Sequence, residues 1–423
     1  MAYSSISNGQ HEDPAVKKSL GFSIRDGVAY AATVGFGDNY INPYAVALGA
    51  SNFQIGLLSF FTQLVSSLTY LRAADITERI GSRKKIIVLF VFFQAFILLP
   101  IALIPFFPGY THIYLLICFC TLYLSFSSFA NPAWGSLMAN LVPEKSRGAF
   151  FSKRGRLIGM VTVASSFLAG YVLQVFEKCS LAGFTVIFSV AMFSRYISCF
   201  FLNKMYEPPL EIKKEHYFSF KEFVQRLNVG NFGKYVIFHS SFNFAVFLAS
   251  PFFPVFMLRD MGFSYITYSI VTTTVPLASM LAVSYWGRRA DMIGNRQILQ
   301  ICGLVISVLP AMWLISRNVY FLLVIQSLAG VFWAGFNLCS SNFMYDSVIP
   351  EKRTRVISYF HTFNGLAVCV GTFLGGFLAT HIPPVFGHRL LTLFAVSSLL
   401  RVLVSTLLFR RVKEVRKIVI HSA

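Results

Sequence analysis

The chain has 423 residues, of which 56% are hydrophobic and 13% carry a charged side chain. Soluble domains carry about 25% charged residues, so this composition excludes an ordinary water-soluble protein and places the chain in a lipid bilayer. The net charge of +19 would also suit a nucleic-acid-binding protein. However, the cations are scattered over many loops and no nucleic-acid-binding motif accompanies them, so we expect no nucleic-acid partner.

Long apolar runs fill most of the chain. A membrane-spanning helix needs roughly 20 mainly apolar residues, and twelve stretches of this kind can be counted. They lie at 24–48, 52–73, 86–106, 111–140, 152–176, 181–203, 234–258, 264–286, 297–316, 320–346, 355–380 and 388–409. Barrel strands would instead alternate with a period of two over about 10 residues. The sequence therefore predicts an all-α polytopic membrane protein with twelve transmembrane helices.

Lysine and arginine gather on one side of the predicted spans. Most of the 36 Lys and Arg residues lie on that side, and the opposite loops contain only Lys178, Arg259, Arg317 and Arg389. Because cations concentrate in cytoplasmic loops, we expect a multi-pass protein of the inner (plasma) membrane with both termini in the cytoplasm. Anionic lipids of the bilayer would face these cations.

Asp38 is the only carboxylate deep in a predicted span, about 14 residues from the start of the first span and roughly 21 Å along the helix. An acid at the centre of a spanning helix costs about 2.5–3.5 kcal/mol. We therefore expect Asp38 to bind a proton or another cation and to face a central cavity. The alternative is a hydrogen-bonded packing role beside Asn39, Tyr40, Asn42 and Pro43.

Further polar residues on the spans could line the same substrate or proton pathway. They are Asn42, Gln63, Asn131, Trp134, Asn337 and Ser341. Any of them could instead hydrogen-bond a neighbouring helix.

Two histidines add titratable groups to the second half. His239 and Asn243 share one face of the seventh predicted span at i and i+4, and His361 and Asn364 are similarly spaced on the eleventh. Histidine changes charge near neutral pH, so a proton-handling role is one interpretation. Because both histidines lie near the cytoplasmic ends of their helices, solvated or helix-capping roles are the alternative.

A charged turn between two apolar helices occurs twice, at 74–85 and at 287–296. Superposing Glu78 on Asp291 also brings Gly81 onto Gly294. This duplication predicts six helices in each half. The predicted parts are a cytoplasmic tail, an N-terminal bundle, a cytoplasmic linker, a C-terminal bundle and a second cytoplasmic tail, at 1–23, 24–203, 204–233, 234–409 and 410–423.

The linker contains a predicted amphipathic helix. Ser219 and Glu222 form a capping box, and Phe223, Val224 and Leu227 follow at helical spacing. We expect this helix to lie on the inner membrane surface. An ordinary surface helix that covers loop residues is an equally good interpretation.

The duplicated turn resembles the loop signature G-x-x-x-D-R-x-G-R-R of the major facilitator superfamily, which lies between spans two and three and, in weaker form, between spans eight and nine. The second copy matches it at Gly287, Asp291, Gly294 and Arg296. The first copy departs from it at Ala74, Glu78 and Ser82. Residues 134–154 also resemble a segment of uncharacterised bacterial permeases of this superfamily. The resemblance covers the whole chain and implies two pseudo-symmetric six-helix bundles.

The resemblance further implies that the turns latch the two halves together in one transport state. The latch residues would be Glu78, Arg79, Gly81 and Arg83 with Gly287, Asp291, Gly294 and Arg296. The acid of each turn would meet the N-terminus of span five or eleven through the helix dipole. Asp346 would complete a charge relay beside Asp291 and Arg296, whereas the first half has Asn140 at the equivalent position and would be latched more weakly. The alternative is that these charges only fix the topology.

Two arginines, Arg195 and Arg401, occupy repeat-related positions in the sixth and twelfth spans. We expect their long side chains to snorkel towards the inner face. Their symmetry favours a structural role, and recognition of an anionic substrate is the alternative.

The resemblance implies a secondary transporter, a symporter or antiporter that moves a small-molecule substrate by alternating access, with Asp38 as the candidate for proton coupling. The alternative is a transporter-like receptor or regulator that binds its ligand without transport. We expect no enzyme activity, because the spans contain no paired acids, His-rich metal cluster or nucleophile motif. No phosphate-binding loop for ATP is present, and we predict no cofactor, no metal site and a functional monomer.

Overall fold

The structure is a computed structural model that describes residues 14–177, 181–209, 219–348 and 353–415. Within its helices the side chains of Ala74, Glu78, residues 144–149 and residues 353–354 are not described. Parts of the predicted tails and linker, at 1–13, 210–218 and 416–423, therefore lie outside the described residues. The side chain of the predicted latch residue Glu78 does so as well.

The described residues form helices and no strands. The helices are α1 (Pro14–Phe36), α2 (Ile41–Ala47), α3 (Asn52–Ile80), α4 (Arg83–Leu103), α5 (His112–Leu141), α6 (Glu144–Val175), α7 (Ala182–Asn203), α8 (Phe220–Gln225), α9 (Asn231–Phe247), α10 (Tyr265–Ile293), α11 (Asn295–Met312), α12 (Val319–Ser347), α13 (Arg353–His381) and α14 (Arg389–Leu407). After α9 the chain continues through short helical turns that end in the π-helical segment Phe256–Asp260.

Ten helical segments of the described residues are long and apolar enough to cross a membrane. The two other predicted spans are helical too, since the first runs through α1 and α2 and the second is α3. A helix satisfies its own backbone donors and acceptors, as a segment in lipid must. The predicted all-α polytopic membrane protein is confirmed. The first helix begins at Pro14, well before the predicted start at residue 24, and this earlier start changes which side chains lie inside it.

The first compact unit comprises residues 1–41 and 68–214. In its described part, α4 packs against α5 and α7, and α1 packs against α6 and α7. Ile86, Ile87 and Val91 of α4 share an apolar core with Ala133 and Leu137 of α5. Because these helices pack closely, a polar side chain that points between them is separated from lipid.

The second compact unit comprises residues 42–67 and 215–423. In its described part, α10 and α11 pack against α12, α11 against α14, and α9 against α13. The first part of α3 belongs to this unit, because a Cβ added to Gly56 would lie 2.6 Å from the Cα of Gly376 on α13. Compact packing thus divides α3 between the units, whereas the predicted bundle at 24–203 contains all of it.

The linker helix α8 is short. The Ser219 hydroxyl accepts a hydrogen bond from the backbone N–H of Glu222 at 3.3 Å, as the capping-box pattern predicts. Phe223 is buried against the ring of Tyr359 on α13, with ring centroids 5.8 Å apart, while Val224 is 40% exposed. One face of α8 therefore covers α13.

Two glycines of the duplicated turn adopt backbone conformations that other residues avoid. Gly81 has φ of 69° after α3 and Gly294 has φ of 87° after α10. The φ and ψ of Gly294, 87° and 157°, lie in a region that is essentially restricted to glycine. Both glycines reverse the chain between consecutive spans, as the sequence pattern predicts.

We expect Gly294→Ala to lower the free energy of unfolding by about 1–3 kcal/mol, because alanine would hold a strained backbone. Gly155→Ala on α6 is the matched control. A Cβ there meets no atom within 4 Å, so the higher helix propensity of alanine should stabilise the protein by about 0.5–1 kcal/mol. Thermal unfolding of both variants in detergent measures the difference, and equal stability of the two would contradict the assignment of strain.

Candidate functional site

Asp38 lies where the first span is interrupted. Gly37 ends α1, and Asp38–Tyr40 form a 3-10 turn before α2. The Tyr123 hydroxyl of α5 donates a hydrogen bond to Asp38 Oδ1 at 2.6 Å. The next two residues are anchored to α6, where Asn39 Nδ2 donates to Ser166 Oγ at 2.8 Å and the Tyr40 hydroxyl donates to the Ser166 carbonyl at 2.5 Å. The interruption therefore presents a partly buried carboxylate to a tyrosine hydroxyl.

A second carboxylate, Asp26, lies inside α1 and is 4% exposed. The Ser198 hydroxyl of α7 donates to Asp26 Oδ1 at 2.6 Å, and Arg154 Nη2 of α6 donates to Oδ2 at 3.3 Å. The expectation that Asp38 is the only acid deep in a span is therefore wrong. The earlier start of α1 moves Asp26 from a predicted helix end into the interior.

Arg195 is buried beside this acid and is 5% exposed. Its Nε donates to Gln94 Oε1 at 2.8 Å and its Nη1 donates to Ser198 Oγ at 3.0 Å. Its guanidinium also lies over the ring of Tyr30, 4.5 Å from the centroid. The repeat-related Arg401 is 4% exposed. The expectation that both arginines snorkel to the membrane surface is wrong, because interior partners hold each of them.

A cavity of about 170 Å³ lies within the first unit. Its polar lining consists of Asp26, Tyr30, Asn131, Trp134, Arg154 and Arg195. The Arg154 guanidinium lies over the indole of Trp134, 4.5 Å from the ring centroid. Such a contact is a cation–π interaction, which gains strength when the pair is shielded from water. Two candidates from the sequence, Asn131 and Trp134, thus line the same cavity as Asp26, Arg154 and Arg195, a grouping that the sequence did not predict.

The second unit holds a neutral polar cluster between α9 and α13. Asn243 Nδ2 lies 2.8 Å from Asn364 Oδ1 and 3.0 Å from His239 Nδ1, and His239 Nδ1 lies 3.2 Å from Asn364 Oδ1. With a hydrogen on Nδ1, His239 donates to Asn364, and with the hydrogen on Nε2 it accepts from Asn243. The ring of His239 packs between aromatic rings, with the centroid of Phe336 at 5.9 Å and that of Phe360 at 5.0 Å.

Five other sequence candidates lie on helices α2, α3, α12 and α13. His361 is exposed on α13, next to Phe360. Asn42 and Gln63 are half-buried on α2 and α3, while Asn337 and Ser341 are exposed on α12. Among the described residues, the side chains of these last four make no hydrogen bond to either cluster, so their role in a pathway stays a prediction.

The first predicted latch holds a buried ion pair. Arg83 is 1% exposed, and its Nε lies 3.7 Å from Glu207 Oε1. Glu207 Oε1 also accepts from the backbone N–H groups of Arg83 at 2.6 Å and Lys84 at 3.2 Å, and Oε2 accepts from the Ser82 hydroxyl at 2.6 Å. Arg83 Nη2 donates to the Pro208 carbonyl at 2.7 Å. Glu207 thus caps α4, where the helix dipole favours a negative charge.

The second predicted latch repeats this arrangement. Glu414 Oε2 accepts from the backbone N–H of Arg296 at 2.7 Å at the start of α11, and Arg296 Nε donates to the Val412 carbonyl at 2.7 Å. Asp346 instead accepts from Asn295 Nδ2 at 3.2 Å. Within the described residues no hydrogen bond or ion pair joins Arg296 to Asp346, and the expected relay between these two side chains stays a prediction. The exposed Arg79 and the helical Gly287 take no part in this capping.

Sequence reasoning missed both capping glutamates, although a signal was available. Each follows the last helix of one half and therefore lies outside the apolar spans. A shift of 207 residues between the halves, one more than the shift that relates Arg195 to Arg401, would have paired Glu207 with Glu414.

Part of the chain is similar to a known family. Residues 235–421 match the family model described as Major Facilitator Superfamily. A curated relative, the efflux pump azaK of Aspergillus niger, is 29% identical over 170 residues, which are 38% of this chain and 34% of that protein. The matched part of the chain thus spans only about a third of that relative's length.

Solved transporter structures share the fold. A D-xylose-proton symporter matches with a TM-score of 0.71 and 12% identity over 95% of this chain and 98% of its own. The nucleoside transporter NupG matches with a TM-score of 0.64 and 13% identity over 94% and 99% of the two chains. A bacterial homologue of the iron transporter ferroportin matches with a TM-score of 0.67 and 14% identity over 95% and 99%. At these identities the likeness establishes the fold alone.

We expect Glu207→Ala to lower the free energy of unfolding by about 1.5–3 kcal/mol, because it removes charge-assisted hydrogen bonds and leaves the buried Arg83 without its carboxylate. Glu222→Ala is the matched control, since Glu222 is exposed on α8 and should change stability by less than about 0.5 kcal/mol. Thermal unfolding in detergent compares the two. Equal melting of Glu207→Ala and wild type would show that the cap contributes nothing to stability.

Proposed function

We propose that this chain, whose residues 235–421 match the family model described as Major Facilitator Superfamily, is a member of that superfamily and a secondary active transporter that moves a small solute across a membrane by alternating access. The observation that carries the proposal is a set of charged residues between spanning helices of the first unit, where Asp26 accepts a hydrogen bond from Arg154 and is joined to Arg195 through the Ser198 hydroxyl. Charges at membrane depth are costly and generally mark the pathway of a substrate or an ion. The shared fold with solved transporters supports the same conclusion.

A proton is the proposed coupling ion, and Asp38 its proposed carrier. The carboxylate of Asp38 accepts a hydrogen bond from the neutral hydroxyl of Tyr123. Loss of the negative charge on protonation would weaken this hydrogen bond, because a charged acceptor binds its donor more strongly. The Asp38 turn between α1 and α2 can thereby favour one of two local arrangements. Tyr123 acts as the positioning residue in this scheme.

The same proposal covers the location and assembly of the protein. The distribution of Lys and Arg supports an inner (plasma) membrane protein with cytoplasmic termini. The bundles 24–203 and 234–409 would be the moving halves, joined by the linker 204–233. The protein would act as a monomer without enzyme activity, and Arg83 and Arg296 with their capping glutamates would stabilise one conformational state.

Proteoliposome flux tests the function. Pooled metabolites and amphiphiles are added to wild type at an imposed pH gradient, and substrate-dependent proton movement is recorded. We expect Asp38→Asn to abolish this movement but to retain exchange of labelled substrate across the membrane, because exchange requires no net proton transfer. Glu222→Gln, which alters an exposed acid of the linker helix, should behave as wild type.

The flux results distinguish a proton-coupled transporter from the alternative interpretations. Proton movement in Asp38→Asn that equals that of wild type would exclude Asp38 as the carrier. Ligand binding by folded wild type without any flux or exchange would favour the transporter-like receptor or regulator.

We expect Tyr123→Phe to reduce proton-coupled flux by about 10- to 100-fold, the loss that corresponds to a hydrogen bond with a charged group. Substrate exchange should change by a smaller factor, since the carboxylate remains. A Tyr123→Phe variant that reduces coupled flux and exchange by equal factors would show that Tyr123 serves only the fold.

A further inference from the structure

The cavity of the first unit contains hydrogen-bond donors without partners. Arg195 donates through Nε and Nη1, and Arg154 donates through Nε to the Ser23 carbonyl and through Nη2 to Asp26. The remaining guanidinium nitrogens, Arg195 Nη2 and Arg154 Nη1, make no hydrogen bond within the described part of the chain. Neither is among its fully buried unpaired atoms, so both face open space, and the cavity is a space that both arginines line.

The carboxylate of Asp26, in the cavity wall, already accepts hydrogen bonds through both of its oxygens. Asp26 accepts from Ser198 through Oδ1 and from Arg154 through Oδ2. Among the lining residues it offsets one of the two guanidinium charges, so the lining itself carries one excess positive charge, while Asp38 interacts electrostatically with Arg195 from outside the lining. A ligand that brings hydrogen-bond acceptors and a single negative charge would complement this lining, because an unpaired buried charge is strongly unfavourable.

The apolar walls narrow the choice of ligand. Ile87, Val91 and Ile158 line the cavity together with its polar groups. The volume of about 170 Å³ resembles that of an engineered protein cavity of about 150 Å³ that binds benzene. A carboxylate with a short apolar body satisfies charge, shape and volume together. Phosphate carries more charge than the excess and has no apolar part, and an organic cation would be repelled by both guanidinium groups.

We infer that this cavity, lined by Arg154, Arg195 and Trp134, is a binding subsite for the carboxylate group of a small organic monoanion. The inference rests on the proposed transport function and names the substrate class. The carboxylate binds the two free guanidinium N–H groups, and its apolar body lies along Ile87 and Ile158. The indole of Trp134, under the guanidinium of Arg154, reports occupancy.

Binding of propionate to the purified full-length protein tests the inference. Propionate does not absorb where tryptophan does, so intrinsic fluorescence and thermal stabilisation can both be followed. Propionamide is the neutral isostere, and inorganic phosphate is the second anion. We expect saturable binding of propionate, no binding of propionamide and at least about tenfold weaker binding of phosphate, since charge-assisted hydrogen bonds supply the affinity.

Matched variants locate the site. Arg195→Gln and Arg154→Gln should each weaken propionate binding by about 10- to 100-fold, and Arg154→Lys should restore part of the loss. Arg401→Gln is the control, because it removes a buried arginine at the repeat-related position outside this cavity. Trp134→Phe should remove the fluorescence change while thermal stabilisation by propionate remains. If Arg195→Gln fails to fold, the Arg154 pair decides the question.

The outcomes distinguish this subsite from the transport function. No propionate binding by folded wild type, or equal weakening by Arg401→Gln and Arg154→Gln, would overturn the subsite and leave transport of another solute open. Equal binding of propionamide would overturn it as well, since the charge would then be irrelevant. Propionate binding that Arg154→Gln removes, in a protein that shows no flux or exchange, would support the subsite while the transport proposal fails.

Discussion

The cost of removing charge from water is the constraint on which the rest of this structure depends. A charged side chain between spanning helices must find partners there, because lipid offers none. Asp26 meets a hydroxyl and a guanidinium, and Arg195 meets an amide, the same hydroxyl and an aromatic face. Hydrogen bonds among these side chains therefore connect helices α1, α4, α6 and α7. The apolar core at Ile86 and Leu137 packs α4 against α5 within the same unit.

Helix ends show the same constraint at the membrane surface. The first backbone N–H groups of a helix have no partner within it, and α4 and α11 each obtain one from a glutamate that follows the last helix of its half. The neighbouring arginine then donates to a backbone carbonyl of the same segment. In each half the N-terminus of the third span is thus capped by a glutamate that follows the sixth span. The repeated sequence thus produces the same capping contact, a glutamate that accepts from the backbone N–H of an arginine, in both halves.

The sequence predicted the helices well, because a bilayer admits few alternatives for long apolar runs. Helical spacing also placed His239 and Asn243 on one face, and the structure adds Asn364 from another helix. Asp26 was missed because apolar composition marks the membrane core and does not show where a helix begins. The interior partners of Arg195 were missed for a different reason. Long flexible side chains can reach several acids or carbonyls, and only tertiary packing selects among them.

The two repeat-related arginines have different hydrogen-bond partners in the two halves. Arg195 shares Ser198 with Asp26 and lies beside a cavity that a second guanidinium also lines. Arg401 is equally buried, yet it donates to the Ser397 hydroxyl and to the Val246 carbonyl and not to an acid. The polar cluster of the second unit, at His239, Asn243 and Asn364, consists of an imidazole and amides. A shared scaffold therefore places an acid beside two arginines in the first unit, whereas in the described part of the second unit the buried Arg401 and the cluster around His239 make hydrogen bonds to uncharged groups.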